Sequence, residues 1–309
     1  MLANKNILSV LAISITTFFW GISFSSTKIL LQVFPAEQIA FLRLVIAIIS
    51  LAFALITMKQ KFIEKKDWLS VLAGGVTGVF LYFLFENNGL RFTNAGTASL
   101  IVCTAPVLNL IAGSLFFKER YSWQRWIGVF LSFVGVYFII RFGNDSTIAL
   151  ENMKGNILVL LAACSWVIFT RVNVSLMRKY NPVLVNFYQS LIGMLCLGIL
   201  ALPKGINFAV FNVIITVNLI YLGVFCSAVA YILYLFALKN LGSATTTTFI
   251  NMIPVFGVLG GVVILHETLF AGQIIGGALV ILGVSIVTLK GNKRKDDYLQ
   301  EDKEKALKV

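Results

Sequence analysis

Charge, histidine and hydrolytic motifs are what this chain has least of. Of its 309 residues 12% are charged, and His266 is its single histidine. It contains no GxxxxGK[ST] loop to cradle nucleotide phosphates, no HExxH and no GxSxG. These absences argue against ATP-driven transport within the chain and against zinc or serine hydrolysis; an enzyme is not expected. The four cysteines, Cys103, Cys164, Cys196 and Cys226, fall inside apolar runs without metal-like spacing, so neither a disulfide framework nor a zinc site is expected. The residues imply no metal and no cofactor.

What is present is apolar. Residues of the apolar classes make up 59% of the chain, with 26 Phe. The mean hydropathy of +0.91 lies far outside the range of soluble domains. A net charge of +12 would point to nucleic acid in a soluble domain. In this chain the basic residues sit in short loops and the tail, where they read as topology signals and contacts to anionic headgroups. The expected partner is a lipid bilayer and not nucleic acid.

Ten apolar runs are long enough to cross it, at about 7–31, 37–57, 68–90, 95–117, 123–141, 155–177, 183–202, 213–238, 244–265 and 272–290. They are continuous and lack period-two alternation, which predicts helices and not a membrane barrel. The first run follows only Lys5 and precedes no small-residue cleavage pattern, so it reads as a span and not as a removable signal peptide. An even number of spans puts both termini on one side. That side carries 15 Lys or Arg near the membrane, against four on the other (Arg91, Arg141, Lys154 and Lys204). The bias predicts a multi-pass protein of the cell (inner) membrane with both termini cytoplasmic.

The stretch from Leu90 to Ile140 is written twice. Moved 148 positions without a gap, it sets Pro106, Gly113, Glu119, Gly128 and Gly135 on Pro254, Gly261, Glu267, Gly276 and Gly283. Trp20 corresponds to Trp166 and Pro35 to Pro182, at an offset near 147. The chain therefore divides into two homologous halves, residues 5–141 and 153–290, followed by a disordered cytoplasmic tail at 291–309. In that tail Lys293, Arg294 and Lys295 are alternatively a membrane-surface contact. Five spans per half is an odd number, so the second half enters the membrane from the opposite face. Inverted repeats of this kind are a signature of secondary transporters, with the site at the repeat interface.

Trp20-Gly21, Lys28, Arg43, Pro106, the Glu119 turn and Gly128/Gly135, set in five-helix halves, resemble the EamA-type family of the drug/metabolite transporter superfamily. The resemblance covers nearly the whole chain except the tail. It implies ten helices in two inverted five-helix repeats around a central cavity, working by alternating access, in a family where many members export amino acids or other small metabolites. The second half has no Arg at the position matching Arg43, so that residue's role is not symmetric.

Candidate site residues follow from depth in the membrane. Trp20 and Trp166 stand near the midplane, either lining a central cavity or packing between helices, whereas Trp68, Trp123 and Trp126 stand at span ends as interfacial belt residues. Phe24, Tyr82, Thr170, Tyr231 and Tyr234 are expected around them, as an aromatic wall with hydroxyl handles or as ordinary core. Lys28, Arg43 and Glu86 are ionisable residues inside spans. Either Arg43 and Glu86 pair, or Arg43 or Lys28 attracts a substrate carboxylate while Glu86 takes its amine or a coupling proton. Arg171 is expected to snorkel to the headgroups. Pro106 and Pro254 predict helix kinks, with Asn109 and Asn251, one turn away, bonding exposed backbone or substrate. The run Thr245–Thr248 is expected to satisfy backbone in the same way.

Gly74/Gly78, Gly257/Gly261 and Gly272/Gly276 have the spacing of close helix packing, within one protomer or in a dimer, leaving monomer and homodimer both open. Glu119 and Glu267 read as turn or cap residues, with a proton relay beside His266 as the alternative. Asn144-Asp145-Ser146 matches a glycosylation tripeptide. The expectation is a secondary transporter exporting a small-molecule substrate, an amino acid or similar zwitterion, by proton coupling or solute exchange. The alternatives are an uptake permease of the same fold and a non-transporting membrane protein that handles lipid or assists assembly.

Overall fold

A computed structural model describes residues 2–56, 58, 62–117, 121–142 and 150–289. The tail, the Lys118-Glu119-Arg120 turn and the glycosylation tripeptide lie outside the described residues. Ten helices in two inverted five-helix repeats make up the fold, with no strand among the described residues. They are α1 (Leu2–Leu30), α2 (Ala36–Ile56), α3 (Lys65–Leu90), α4 (Ala95–Phe116), α5 (Trp123–Phe142), α6 (Leu150–Leu176), α7 (Pro182–Ala201), α8 (Val213–Gly242), α9 (243–265) and α10 (Ala271–Leu289). Among the described residues, seven of them are long and apolar enough to cross a membrane. The other three contribute the shorter apolar helices Trp123–Ile139, Ile250–Leu265 and Ala271–Gly283.

Helix ends follow local chemistry. Asn181 caps α7 by accepting from the Val183 N–H, with Pro182 in the first turn where its missing donor costs nothing. Asn212 caps α8 through the Ile215 N–H. Gly242, at φ 77°, ends α8 in a conformation that favours glycine.

Each half lends its first helix to the other. α1 packs chiefly on α8 and α9, and its repeat mate α6 packs on α3 and α4. α5 lies along α10, and α2 along α7. The glycine stripes are consumed inside this one chain. A Cβ on Gly135 would stand 2.6 Å from the Gly276 carbonyl, one on Gly283 would stand 2.5 Å from the Gly128 carbonyl, and one on Gly75 would stand 2.8 Å from Ile192 Cβ. Such approach without side chains is what lets helices adhere where lipid supplies no hydrophobic driving force.

Both ends of the bundle are tied across the halves. On one face the Asp67 carboxylate accepts from Lys179 Nζ at 2.8 Å and Tyr180 Oη at 2.7 Å, fixing the entry of α3 to the α6–α7 turn. On the opposite face, called outer for the charge bias read in the sequence, Glu37 pairs with Lys204, and Gln38 Nε2 donates to the Gly205 carbonyl at 2.8 Å. These ties hold α2 and α3 in register with the second half, and both helices carry ionisable groups to the centre.

The four central helices are irregular at repeat-related places. α3 contains a π-helical turn at Val76–Leu81 and α8 one at Tyr221–Val229. α4 breaks at Cys103–Thr104, and α9 narrows to a 3-10 turn at Ile250–Met252. The expected kinks at Pro106 and Pro254 coincide with these short departures from α-helix, with each proline in the first turn of the α-helix that resumes, where it displaces no hydrogen bond.

Candidate functional site

A cavity opens where these irregularities meet. Its walls are Trp20, Ser23 and Phe24 of α1, Arg43 of α2, Tyr82, Phe83 and Glu86 of α3, Val102 of α4, Trp166 of α6, Tyr231 of α8, and Ile250 and Ile253 of α9. The cavity is narrow, its centre leaving room for about one or two water molecules.

The two tryptophans meet at the repeat axis. Their rings are 5.1 Å apart and nearly perpendicular, and Tyr231 stands 5.5 Å from Trp20 and 5.6 Å from Trp166. Tyr82 closes the same box at 5.3 Å from Trp166. A buried indole N–H or phenol needs an acceptor, and the π-helical turns supply it. Trp20 Nε1 donates to the Cys226 carbonyl at 3.0 Å, and Tyr231 Oη donates to the Gly78 carbonyl at 3.0 Å. Gly78 and Cys226 are 148 residues apart, so both halves present the same carbonyl to the site. A π-helical turn shifts the i→i−4 ladder and leaves such carbonyls able to accept from outside it.

The charges come from the first half alone. Arg43 and Glu86 are 2% and 4% exposed. Arg43 Nε donates to Ser227 Oγ at 2.9 Å, and its guanidinium lies 4.1 Å from the centre of the Phe83 ring. Tyr82 Oη donates to Glu86 Oε1 at 2.9 Å. Each charged head is thus anchored on one side by a neutral partner, and both border the cavity. Arg43 and Glu86 thus share one cavity, each with a neutral hydrogen-bond partner beside it.

Thr170 and Tyr234 form a layer behind the wall. Their hydroxyls are 2.9 Å apart, Thr170 Oγ1 donates to the Trp166 carbonyl, and the Tyr234 ring stands 5.1 Å from Trp166. They fix Trp166 and do not face the cavity. Lys28 is also off it, one turn beyond Phe24. Its Nζ donates to the Thr93 carbonyl at 2.5 Å and stands 3.7 Å from Glu267.

Asn109 does not reach the cavity, because its side-chain oxygen accepts from Arg171 Nε at 2.6 Å and its carbonyl accepts from Arg171 Nη2 at 3.0 Å. Arg171 of α6 is thereby tied to α4, a guanidinium stabilised by fixed acceptors beside it. Asn251 is likewise engaged, accepting from Cys103 Sγ at 3.4 Å. Cys103 and Asn251 are 148 residues apart, so the two helix breaks touch each other at the axis. Of the threonine run, Thr246 is buried with its Oγ1 unpartnered; the side chains of the other three lie outside those described.

Five wall residues escaped the sequence reading: Ser23, Phe83, Val102, Ile250 and Ile253. A signal existed for one of them. Phe83 is the repeat mate of Tyr231, 148 residues earlier, so the duplication that placed Tyr231 also placed Phe83.

Comparison with known proteins bears on the same arrangement. A family model described as the EamA-like transporter family matches residues 7–141 and again 153–289. An uncharacterized transporter of Archaeoglobus fulgidus is 31% identical over 281 residues, covering 91% of this chain and 98% of the relative. The uncharacterized transporter YdfC of Bacillus subtilis is 24% identical over 99% of both chains. A protein of Streptantibioticus cattleyicolor named as a probable terminal-alkyne amino-acid exporter is 26% identical, over 93% of this chain and 96% of that protein. A crystal structure at 18% identity aligns with a TM-score of 0.64 over 94% of this chain and 97% of its own, a likeness that speaks for the fold.

Proposed function

Because the chain belongs to the EamA-like transporter family, we propose that it exports a zwitterionic small metabolite of the amino-acid class by alternating access. It is a multi-pass membrane transporter and not an enzyme. The observation that carries the finer reading is the placement of Arg43 and Glu86 in one small cavity, each held on one side only. The free side of the guanidinium suits a carboxylate, which it grips through charge-assisted and often paired hydrogen bonds. The free carboxylate oxygen of Glu86 and the faces of Trp20 and Trp166 suit an ammonium group. The apolar remainder of a substrate then lies against Phe24, Val102, Ile250 and Ile253. Opposite charges on one cavity wall discriminate against simple anions and simple cations, which leave one buried charge without a partner.

Space for only one or two waters means that the cavity widens to admit an amino acid. The helix breaks at Cys103–Thr104 and Ile250–Met252 border it and give α4 and α9 places to bend. A site at the repeat interface, opened to one face as it closes to the other, is the alternating-access scheme of inverted-repeat carriers. The excess of basic residues on the terminal-bearing face supports a reading with both termini in the cytoplasm and the chain in the cell membrane. A proton carried by Glu86, or an exchanged solute, sets the direction. The similarity to the probable amino-acid exporter of Streptantibioticus cattleyicolor supports this substrate class.

The test is counterflow in proteoliposomes loaded with unlabelled amino acids, amines, nucleosides or carboxylic acids. Tracer uptake driven by zwitterions and by neither amines nor acids is the expected result; uptake driven equally by an amine or by a carboxylic acid alone overturns the assignment.

A further inference from the structure

Toward the outer face lies a second charged constellation. His266 takes a left-handed conformation, φ 53°, at the end of α9, and the next N–H, that of Glu267, returns to the Gly261 carbonyl at 3.0 Å. This turn folds the chain back over the helix end. It delivers the Glu267 carboxylate to the opposite half, where Oε1 accepts the Ala95 N–H at 2.9 Å and Oε2 accepts the Gly96 N–H at 3.2 Å. Those are the first, otherwise orphaned donors of α4, at the positive end of its dipole. Lys28 of α1 adds its ammonium 3.7 Å away.

The cluster stands directly outward of the cavity. Phe24 lines the cavity, and Lys28 follows it by four residues on the same face of α1. Val102 lines it too, and Ala95 lies seven residues outward on α4, about 10 Å away. Gly261 makes the seat, since a Cβ there would stand 3.2 Å from Glu267 Cδ and crowd its Oε2. With side chains 28% and 14% exposed, Lys28 and Glu267 retain access to water. They can therefore part at a cost far below that of a fully buried pair.

We propose that Glu267 is the positioning residue of the outer closure: seated on α4 and held by Lys28, it locks α1, α4 and α9 over the cavity and must leave α4 before the site opens outward. The proposal rests on the alternating-access reading, and its test uses no solute. A Ser23→Cys reporter in the cavity is labelled with a membrane-impermeant thiol reagent applied separately to right-side-out and inside-out vesicles, with the parent chain as background. Glu267→Gln is expected to raise outside labelling about tenfold, the loss of roughly one charge-assisted hydrogen bond, and to leave inside labelling unchanged or lower. Gly261→Ala, which keeps the charge but spoils its seat, is expected to act in the same direction, as is Lys28→Met. Glu267→Asp should fall between Gln and the parent. Outside labelling within about twofold of the parent for all of these overturns the proposal, and so does an equal rise from both sides, which reports general loosening. If Glu267→Gln fails to fold, Gly261→Ala and Lys28→Met decide. Positive counterflow with unchanged labelling removes the closure role alone; altered labelling without counterflow removes the substrate reading alone.

Discussion

Glu86 and Tyr234 occupy matching places on α3 and α8, 148 residues apart. The first ends in a carboxylate on the cavity, the second in a hydroxyl held behind the wall by Thr170. Arg43 and Ser190 form a second such pair, each eight residues after the proline that opens its helix. Against these stand the pairs that agree: Trp20 with Trp166, Gly78 with Cys226 as acceptors in the π-helical turns, and Pro106 with Pro254 at the breaks. The two halves keep in common the tryptophans and what shapes the backbone, and differ in the charged groups that line the cavity. One copy carries the charge, while both carry the architecture.

That contrast can be broken by experiment. Trp20→Ala and Trp166→Ala are expected to abolish counterflow alike, with folded protein still recoverable; loss only through misfolding would assign both to packing. Arg43→Met should lower counterflow per folded protein about a hundredfold, as expected for a charged partner of a substrate carboxylate, whereas Ser190→Ala should stay within about twofold of the parent on the same scale. Equal losses at the two positions would erase the asymmetry. Glu86→Gln is expected to remove the response of counterflow to an imposed pH gradient, while Tyr234→Phe preserves it; a retained response excludes Glu86 as the proton carrier. The smallest effect is expected at Tyr231→Phe. Stranding the Gly78 carbonyl should cost about 1–3 kcal/mol of stability, read by denaturant titration in detergent, with little change in substrate preference.

The fold was legible because its signals are long. Apolar runs predict spans, and an undisguised duplication predicts five-helix halves. Matched prolines also marked where α4 and α9 break. The site was legible in part, since seven of its twelve wall residues were anticipated from bulk, charge and depth. Side-chain direction was not. Asn109 and Asn251 are polar and central in sequence, but Arg171 and Cys103 claim them, and pairings more than 60 residues apart leave no periodic trace. The π-helical turns at Val76–Leu81 and Tyr221–Val229 had no signal either, because one extra residue per turn changes register without changing composition. Glu267 was recognised as a capping residue, but the helix it caps belongs to the other half.

The exchange of first helices between halves bears on how the chain is made. α1 is synthesised well before the helices it chiefly packs against, α8 and α9, which begin only at Val213. Until then α1 must reside in lipid with Thr16, Thr17 and Ser23 lacking their eventual neighbours. Its own backbone bridges the wait, since Thr16 donates to the Ala12 carbonyl, Thr17 to the Ser14 carbonyl and Ser23 to the Trp20 carbonyl. Hydroxyls satisfied within one helix leave a segment that is stable alone in the bilayer. Assembly can then include the capture of α1 by the later-made α8 and α9.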